Sequence, residues 1–235
     1  MDERPSENPY AAPQATVDVR ALPDLAKRAR FARGLLIAQI PLSAIAGLSV
    51  LYLNTATALA DAATLSDPRV LATLGFNCLF MGAFLALVVA FFTWIHAAYV
   101  HARVLAPDTR FSPNSAVVCW LVPVLNVVTP LLVLQQLWRV AKYAERWRAA
   151  RAPSRIVTWG LYCGLMNWAW LSRGLNVLTG ARSKSEAWMY VAWTGLTIFF
   201  AWRASLLVGE ITGMLNERHE DSGREQRRTP EGPQN

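Results

Sequence analysis

The chain has 235 residues, of which 54% are hydrophobic, with ten Trp and a mean hydropathy of +0.24. That is too apolar for an ordinary soluble domain and leaves an integral membrane domain with polar tails. The net charge of +7 does not indicate nucleic acid: the basic residues flank apolar stretches instead of studding a polar, aromatic surface, so anionic lipid headgroups are the expected partner.

Residues 1–16 read as a disordered tail. The first 33 residues contain Pro5, Pro9, Pro13 and Pro23 but no apolar run, so no cleavable leader is expected and the first span acts as its own insertion signal. Val17 to Phe31 interleaves Val19, Leu22, Leu25 and Phe31 with Lys27, Arg28 and Arg30, a pattern suited to lying on a membrane surface. Spans are then predicted at 34–59, 70–94, 156–178 and 187–209, each exceeding the roughly 20 residues needed to cross a hydrocarbon core. A fifth stretch, Ala116 to Trp138, is long enough but is broken by Pro123 and Pro130. None of the five holds an Asp or Glu, as the cost of a carboxylate in hydrocarbon requires. Residues 17–215 form the membrane domain, and 216–235 read as a charged, disordered tail.

Charge placement decides the threading, because short loops rich in Lys and Arg stay cytoplasmic. If all five stretches cross, the flanking basic residues divide ten to eleven. If the broken stretch enters and leaves on one side, they divide eighteen to three. The second division carries the asymmetry the rule demands, with both termini cytoplasmic. Local chemistry agrees: Ser112-Pro113 and Thr129-Pro130 each place a capping hydroxyl before a proline at the first helical position. They predict two short helices in a re-entrant hairpin over residues 112–138, the first from Pro113 to about Val122, the second from Pro130. A spanning helix kinked at the prolines is the alternative. After the hairpin, Val140, Tyr143, Trp147 and Ala150 alternate with Lys142, Arg146, Arg148 and Arg151. Residues 139–155, with Arg155, are therefore expected to form a basic amphipathic segment on anionic lipid headgroups; a docking helix for a cytoplasmic protein partner has the same signature.

Phe111-Ser112-Pro113, Ala116-Val117, Trp120, Pro123, Asn126, Pro130 and Trp138-Arg139 together resemble the signature of an uncharacterised bacterial membrane family, domain of unknown function 4328, over about residues 30 to 218. Its motif is similar to F-S-P-G-x-A-V, two or three aromatics, P-x-x-N, K-P-Y and a terminal W-R. This chain has Asn114 for the Gly, Ser115 where an aromatic is common, and Thr129-Pro130-Leu131 for K-P-Y. Glu210-Ile211-Thr212 is similar to the family's closing R-I-T. The resemblance implies a multi-span bacterial membrane protein and supplies no activity; the inner membrane is the expected location.

Catalytic machinery is not visible: there is no carboxylate pair, H-E-x-x-H, phosphate-binding glycine loop or G-x-S-x-G. His96 and His101, five residues apart on a helix, point about 140° away from each other and do not share a metal; with His219 placed in the tail, no metal or cofactor is expected. Cys78, Cys119 and Cys163 read as small buried thiols. Arg173 and Arg203 lie within snorkelling reach of an interface. Trp147, Trp159 and Trp188 suit an aromatic belt, and Gly82/Ala86/Ala90, Gly160/Gly164 and Ala201/Ser205/Gly209/Gly213 suit close helix packing. In the four-span threading, Asn126 at the hairpin apex, Asn167 and Asn77 reach one depth, with Thr194 close by, making a mid-membrane polar layer.

The reading is an all-α integral membrane helical bundle of four transmembrane helices plus a cytoplasm-side re-entrant hairpin, acting as a non-catalytic component that organises partners or lipid. The alternative is a small-solute or ion conduit with its polar site at the hairpin apex. Oligomeric state is not encoded legibly.

Overall fold

A computed structural model describes residues 22–59, 68–122, 128–160 and 186–228, and among them every regular element is helical. Helix α1 is Leu25–Leu59, started by Asp24, whose Oδ1 accepts from the Lys27 backbone N–H at 2.8 Å and so satisfies one of the free donors of the first turn. Helix α2, Pro68–Leu105, opens on a proline, whose missing N–H would have lacked a partner there anyway. Two short helices follow, α3 Pro113–Leu121 and α4 Thr129–Tyr143. Residues 154–160 are helical (α5), and α6 is Glu186–Arg228.

Three of these helices hold stretches apolar and long enough to cross a membrane: Leu25–Ser49, Leu74–Leu105 and Val191–Asp221. The shortest has 25 residues, a rise of about 38 Å against a hydrocarbon core of about 30 Å. By the same rule α3 and α4, with 9 and 15 residues, rise only about 13 and 22 Å, so neither crosses alone. Large apolar side chains on the outer faces of the long helices are exposed, among them Ile45, Leu48, Leu85, Val89, Leu196 and Phe199. Such a surface is stable facing lipid and would aggregate in water. The chain is a membrane protein.

Cross-contacts define how the helices run. Trp94 donates to Thr212 Oγ1 at 3.0 Å and the His101 and His219 rings meet at 4.9 Å, so α2 and α6 run parallel in this half. Helix α1 runs against both: the His101 ring pairs with the Pro23 carbonyl, Arg28 donates to the Thr93 carbonyl, and Arg33 lies on Gly209 while Thr194 lies on Gly47. The start of α1 and the ends of α2 and α6 therefore share one end of the bundle. Helix α3 turns back along α2, Phe111 against Tyr99, Asn114 against His96 and Trp120 against Phe91. Helix α4 returns to the same end, where the Lys142 carbonyl accepts from Arg218 at 2.7 Å.

The core explains this arrangement. Leu25, Ala29, Ala32 and Leu36 on α1, and Ala201, Ala204, Val208, Ile211 and Leu215 on α6, are all buried at alternating three- and four-residue steps, which put each set on one face. Ala29, Ala32, Ala201 and Ala204 among them, with Gly47 and Gly209, let the two backbones approach closely. A Cβ on Gly47 would stand 2.5 Å from Thr194 Oγ1, and one on Gly160 would overlap Leu131.

Several expectations are corrected. Residues 25–31, expected to lie on the membrane surface, continue the first spanning helix, because Leu25 and Ala29 fill the space beside α2 and α6. Residues 216–228, read as a disordered tail, extend α6; Leu215 and His219 hold that end in the bundle, and Arg224 pairs with Glu220 and Asp221 one turn away. The segment 139–155 is not one amphipathic helix. Helix α4 stops at Tyr143, Ala144 takes a positive φ of 46°, and a 3₁₀ turn, Ala144–Arg146, follows. Trp159 is buried in the core, stacked on Phe200 at 5.0 Å, and is no belt residue. Cys78 is exposed on the outer face of α2, not buried. The expected span 156–178 is described only to Gly160, and Cys163, Gly164, Arg173 and the Trp188 side chain lie outside the described residues.

The α1–α6 contact yields a direct comparison. Gly47→Val should lower the thermal midpoint in detergent by the equivalent of about 1–3 kcal/mol through overpacking. Gly34→Val, on the same helix with nothing within 4 Å of its Cβ position, should shift it by less than about 0.5 kcal/mol.

Candidate functional site

The hairpin motif is assembled from polar contacts at its ends. Ser112 caps α3 in a reciprocal box: the Ser115 backbone N–H donates to Ser112 Oγ at 3.1 Å, and the Ser112 N–H donates to Ser115 Oγ at 2.7 Å. Pro113 fills the first helical turn. Thr129 acts differently from the expected cap. Helix α4 begins at Thr129 without a side-chain cap bond, and the Thr129 hydroxyl donates instead to the Cys119 carbonyl at 3.2 Å, joining the end of α3 to the start of α4. Asn114 meets His96 Nε2 at 3.1 Å. Three positions where this chain departs from the usual motif, Asn114, Ser115 and Thr129, thus carry a hydrogen bond between or within the short helices and α2.

Of the remaining motif residues, Phe111 packs on Tyr99 and Trp120 on Phe91 and Trp159, while Pro130 is buried. Trp138 is buried and donates its indole N–H to Glu210 Oε1 at 3.1 Å. Arg139 is half-buried, with its Nε lacking a partner. Pro123 and Asn126 lie outside the described residues, as does Asn167. Asn77 is half-buried on α2, and Thr194 packs against Gly47. The mid-membrane amide layer therefore rests on positions of which only these two are described.

The basic residues divide into two sets. Arg148 forms a salt bridge to Asp108 at 2.8 Å, and the Trp147 indole donates to the same carboxylate at 3.0 Å. These contacts clamp the chain after α4 to the α2–α3 connection and explain the sharp turn at Ala144. Arg155 forms a salt bridge to Glu210. Lys142 lies over the rings of Trp138 and Tyr143 at 5.0 and 5.5 Å. Arg146 and Arg151 are exposed and face no carboxylate among the described residues.

Glu210 is the meeting point of α4, α5 and α6, and beside it lies a cavity of about 110 Å³ bordered by Arg155, Trp159, Arg203 and Glu210 with Leu206 and Leu207. That volume is the share of three to four waters at about 30 Å³ each. Arg203 and Glu210, seven residues apart on α6, stand two turns apart on one face. Arg203 stacks near Trp202 at 5.9 Å. Two guanidinium groups against one carboxylate leave the cavity net positive, and the buried Trp159 indole N–H beside it has no partner. The chemistry on offer is anion binding by charge-assisted hydrogen bonds.

Residues 54–222 match the family described as Domain of unknown function (DUF4328), which is more than two-thirds of the chain. The chain belongs to the DUF4328 family. The match begins inside α1, later than the approximate start at residue 30 read from the motif. No curated protein and no solved structure matches the chain. Within this DUF4328 chain, Glu210 occupies the Arg position of the closing R-I-T segment, and Ile211 and Thr212 beside it are buried, Thr212 accepting from Trp94.

Sequence reasoning missed Glu210 and read Arg203 only as a snorkelling residue. The available signal was their seven-residue spacing on a helix with no other acidic residue between Ala187 and Gly209. Glu210→Gln, which weakens the tie to both Trp138 and Arg155, should cost about 1–2 kcal/mol. Trp138→Phe, which removes one donor, should cost about 1 kcal/mol. Denaturation of the purified protein in detergent checks both, and a Glu210→Gln effect below that of Trp138→Phe would contradict the shared-carboxylate geometry.

Proposed function

We propose that this DUF4328 protein is a non-catalytic component of the bacterial inner membrane that gathers anionic lipid around a cytoplasm-side hairpin. In this reading four helices cross, α3 and α4 re-enter from the cytoplasmic side, and both termini are cytoplasmic. Support comes from the shared end of the bundle, where the start of α1 and the ends of α2, α4 and α6 bring together Lys27, Arg28, Arg110, Lys142, Arg146 and Arg218. A concentration of positive charge there is what the inside rule and an anionic leaflet favour.

The single observation that carries the lipid reading is the cavity beside Glu210. Arg155 and Arg203 outnumber its one carboxylate. A headgroup phosphate matches that set in charge and in acceptor capacity. The exposed Arg146 and Arg151 would add diffuse attraction, screened by salt.

The test is lipid retention by the full-length protein, purified in detergent and exchanged with defined mixtures of phosphatidylglycerol and phosphatidylcholine. Phosphatidylglycerol should be retained preferentially and lost as salt rises. Arg203→Gln should weaken that preference about fivefold, the equivalent of about 1 kcal/mol for one basic residue. Equal retention of the neutral lipid by the native protein would contradict the proposal.

A further inference from the structure

His101 and His219 come from helices far apart in the chain, yet their rings lie 4.9 Å apart at 73°. His101 is buried and directs Nε2 at the Pro23 carbonyl at 2.9 Å. A carbonyl only accepts, so Nε2 carries the hydrogen, and in the neutral ring Nδ1 holds the lone pair. His101 Nδ1 is buried without a partner, and so is His219 Nε2. His101 is thus oriented by one nitrogen bonded to backbone, and each of the two touching rings carries one buried nitrogen without a partner.

We infer that His101 and His219 form a two-histidine site for a borderline transition-metal cation of the Zn²⁺ or Cu²⁺ class. An imidazole held by one N–H on a backbone carbonyl and open at the other nitrogen is the arrangement metal-binding histidines adopt, because the outer bond sets the tautomer and the ring angle. Two imidazole nitrogens about 2.1 Å from one tetrahedral ion put ring centres roughly 5 Å apart, which agrees with the observed separation. Neutral imidazole suits these cations better than Mg²⁺ or Ca²⁺, which take oxygen ligands. No third His, Cys, Asp or Glu joins the pair among the described residues. His219 is only half-buried, which puts the pair near the surface at the end of the bundle. A bound ion would pin α6 to α2 and, through Pro23, to the start of α1.

The full-length protein, made without a polyhistidine tag and stripped with a chelator, is titrated with Zn²⁺ by calorimetry in detergent. One ion per chain is expected. Binding should weaken at least tenfold in His101→Gln and in His219→Gln, and should be unchanged in His96→Gln, whose ring bonds Asn114. Should a substitution unfold the chain, electron paramagnetic resonance of the Cu²⁺-loaded native protein decides, since two imidazole nitrogens on one copper are expected. Zn²⁺ binding equally tight in His219→Gln, or a copper spectrum without two nitrogen ligands, would overturn the site and leave a pair of rings that shares a proton.

Discussion

Tyr99, fully buried on α2, donates its hydroxyl to the Val133 carbonyl of α4 at 2.7 Å and meets Phe111 at the entry to α3 edge to face. Through this one side chain the two short helices, neither long enough to cross a bilayer alone, are held against a long helix that is. The constraint behind it is general: polar groups away from water must find partners inside the protein. Elsewhere in this chain aromatic donors meet it in the same way, Trp94 on Thr212 and Trp138 on Glu210. The hydroxyls of Ser112, Ser115 and Thr129 complete the hairpin's ends.

The hairpin in turn shapes the candidate site. Because α4 returns to the end of the bundle that α3 left, Trp138 arrives beside Glu210, and Arg155 follows as soon as the turn at Ala144 has brought the chain round. Asp108 holds that turn by Trp147 and Arg148. A cavity with two guanidinium groups and one carboxylate is therefore a consequence of the hairpin geometry, and so is its position on the side where Lys and Arg collect.

Much of the fold was legible because hydrophobic length and helix-start chemistry are local properties. The apolar runs of α1, α2 and α6, the break between Pro113 and Pro130, and the Ser112-Pro113 start all follow from residues within a turn or two of each other. What was not legible depends on contacts distant in sequence. The amphipathic pattern from Val140 to Arg151 is a sound helical signal taken alone, and it loses to a clamp from Asp108, about forty residues earlier. His219 sits in a run of charged residues that reads as a solvated tail, and only its seat on His101, in another helix, draws α6 onward. Glu210 fell one residue beyond a span boundary drawn by hydropathy, although its partners lie on α4 and α5.

The account stands on α3 and α4 entering and leaving at the cytoplasmic end. Its most direct test is a set of topology reporters fused in the membrane-inserted chain after residue 150, at the C-terminus, and near Asp67 and Ser183. The account predicts cytoplasmic signals at residue 150 and at the C-terminus, with outside signals at the other two. An outside signal at residue 150, with the Asp67 reporter also outside, would mean that the broken stretch crosses, and would contradict the hairpin and the headgroup site built on it.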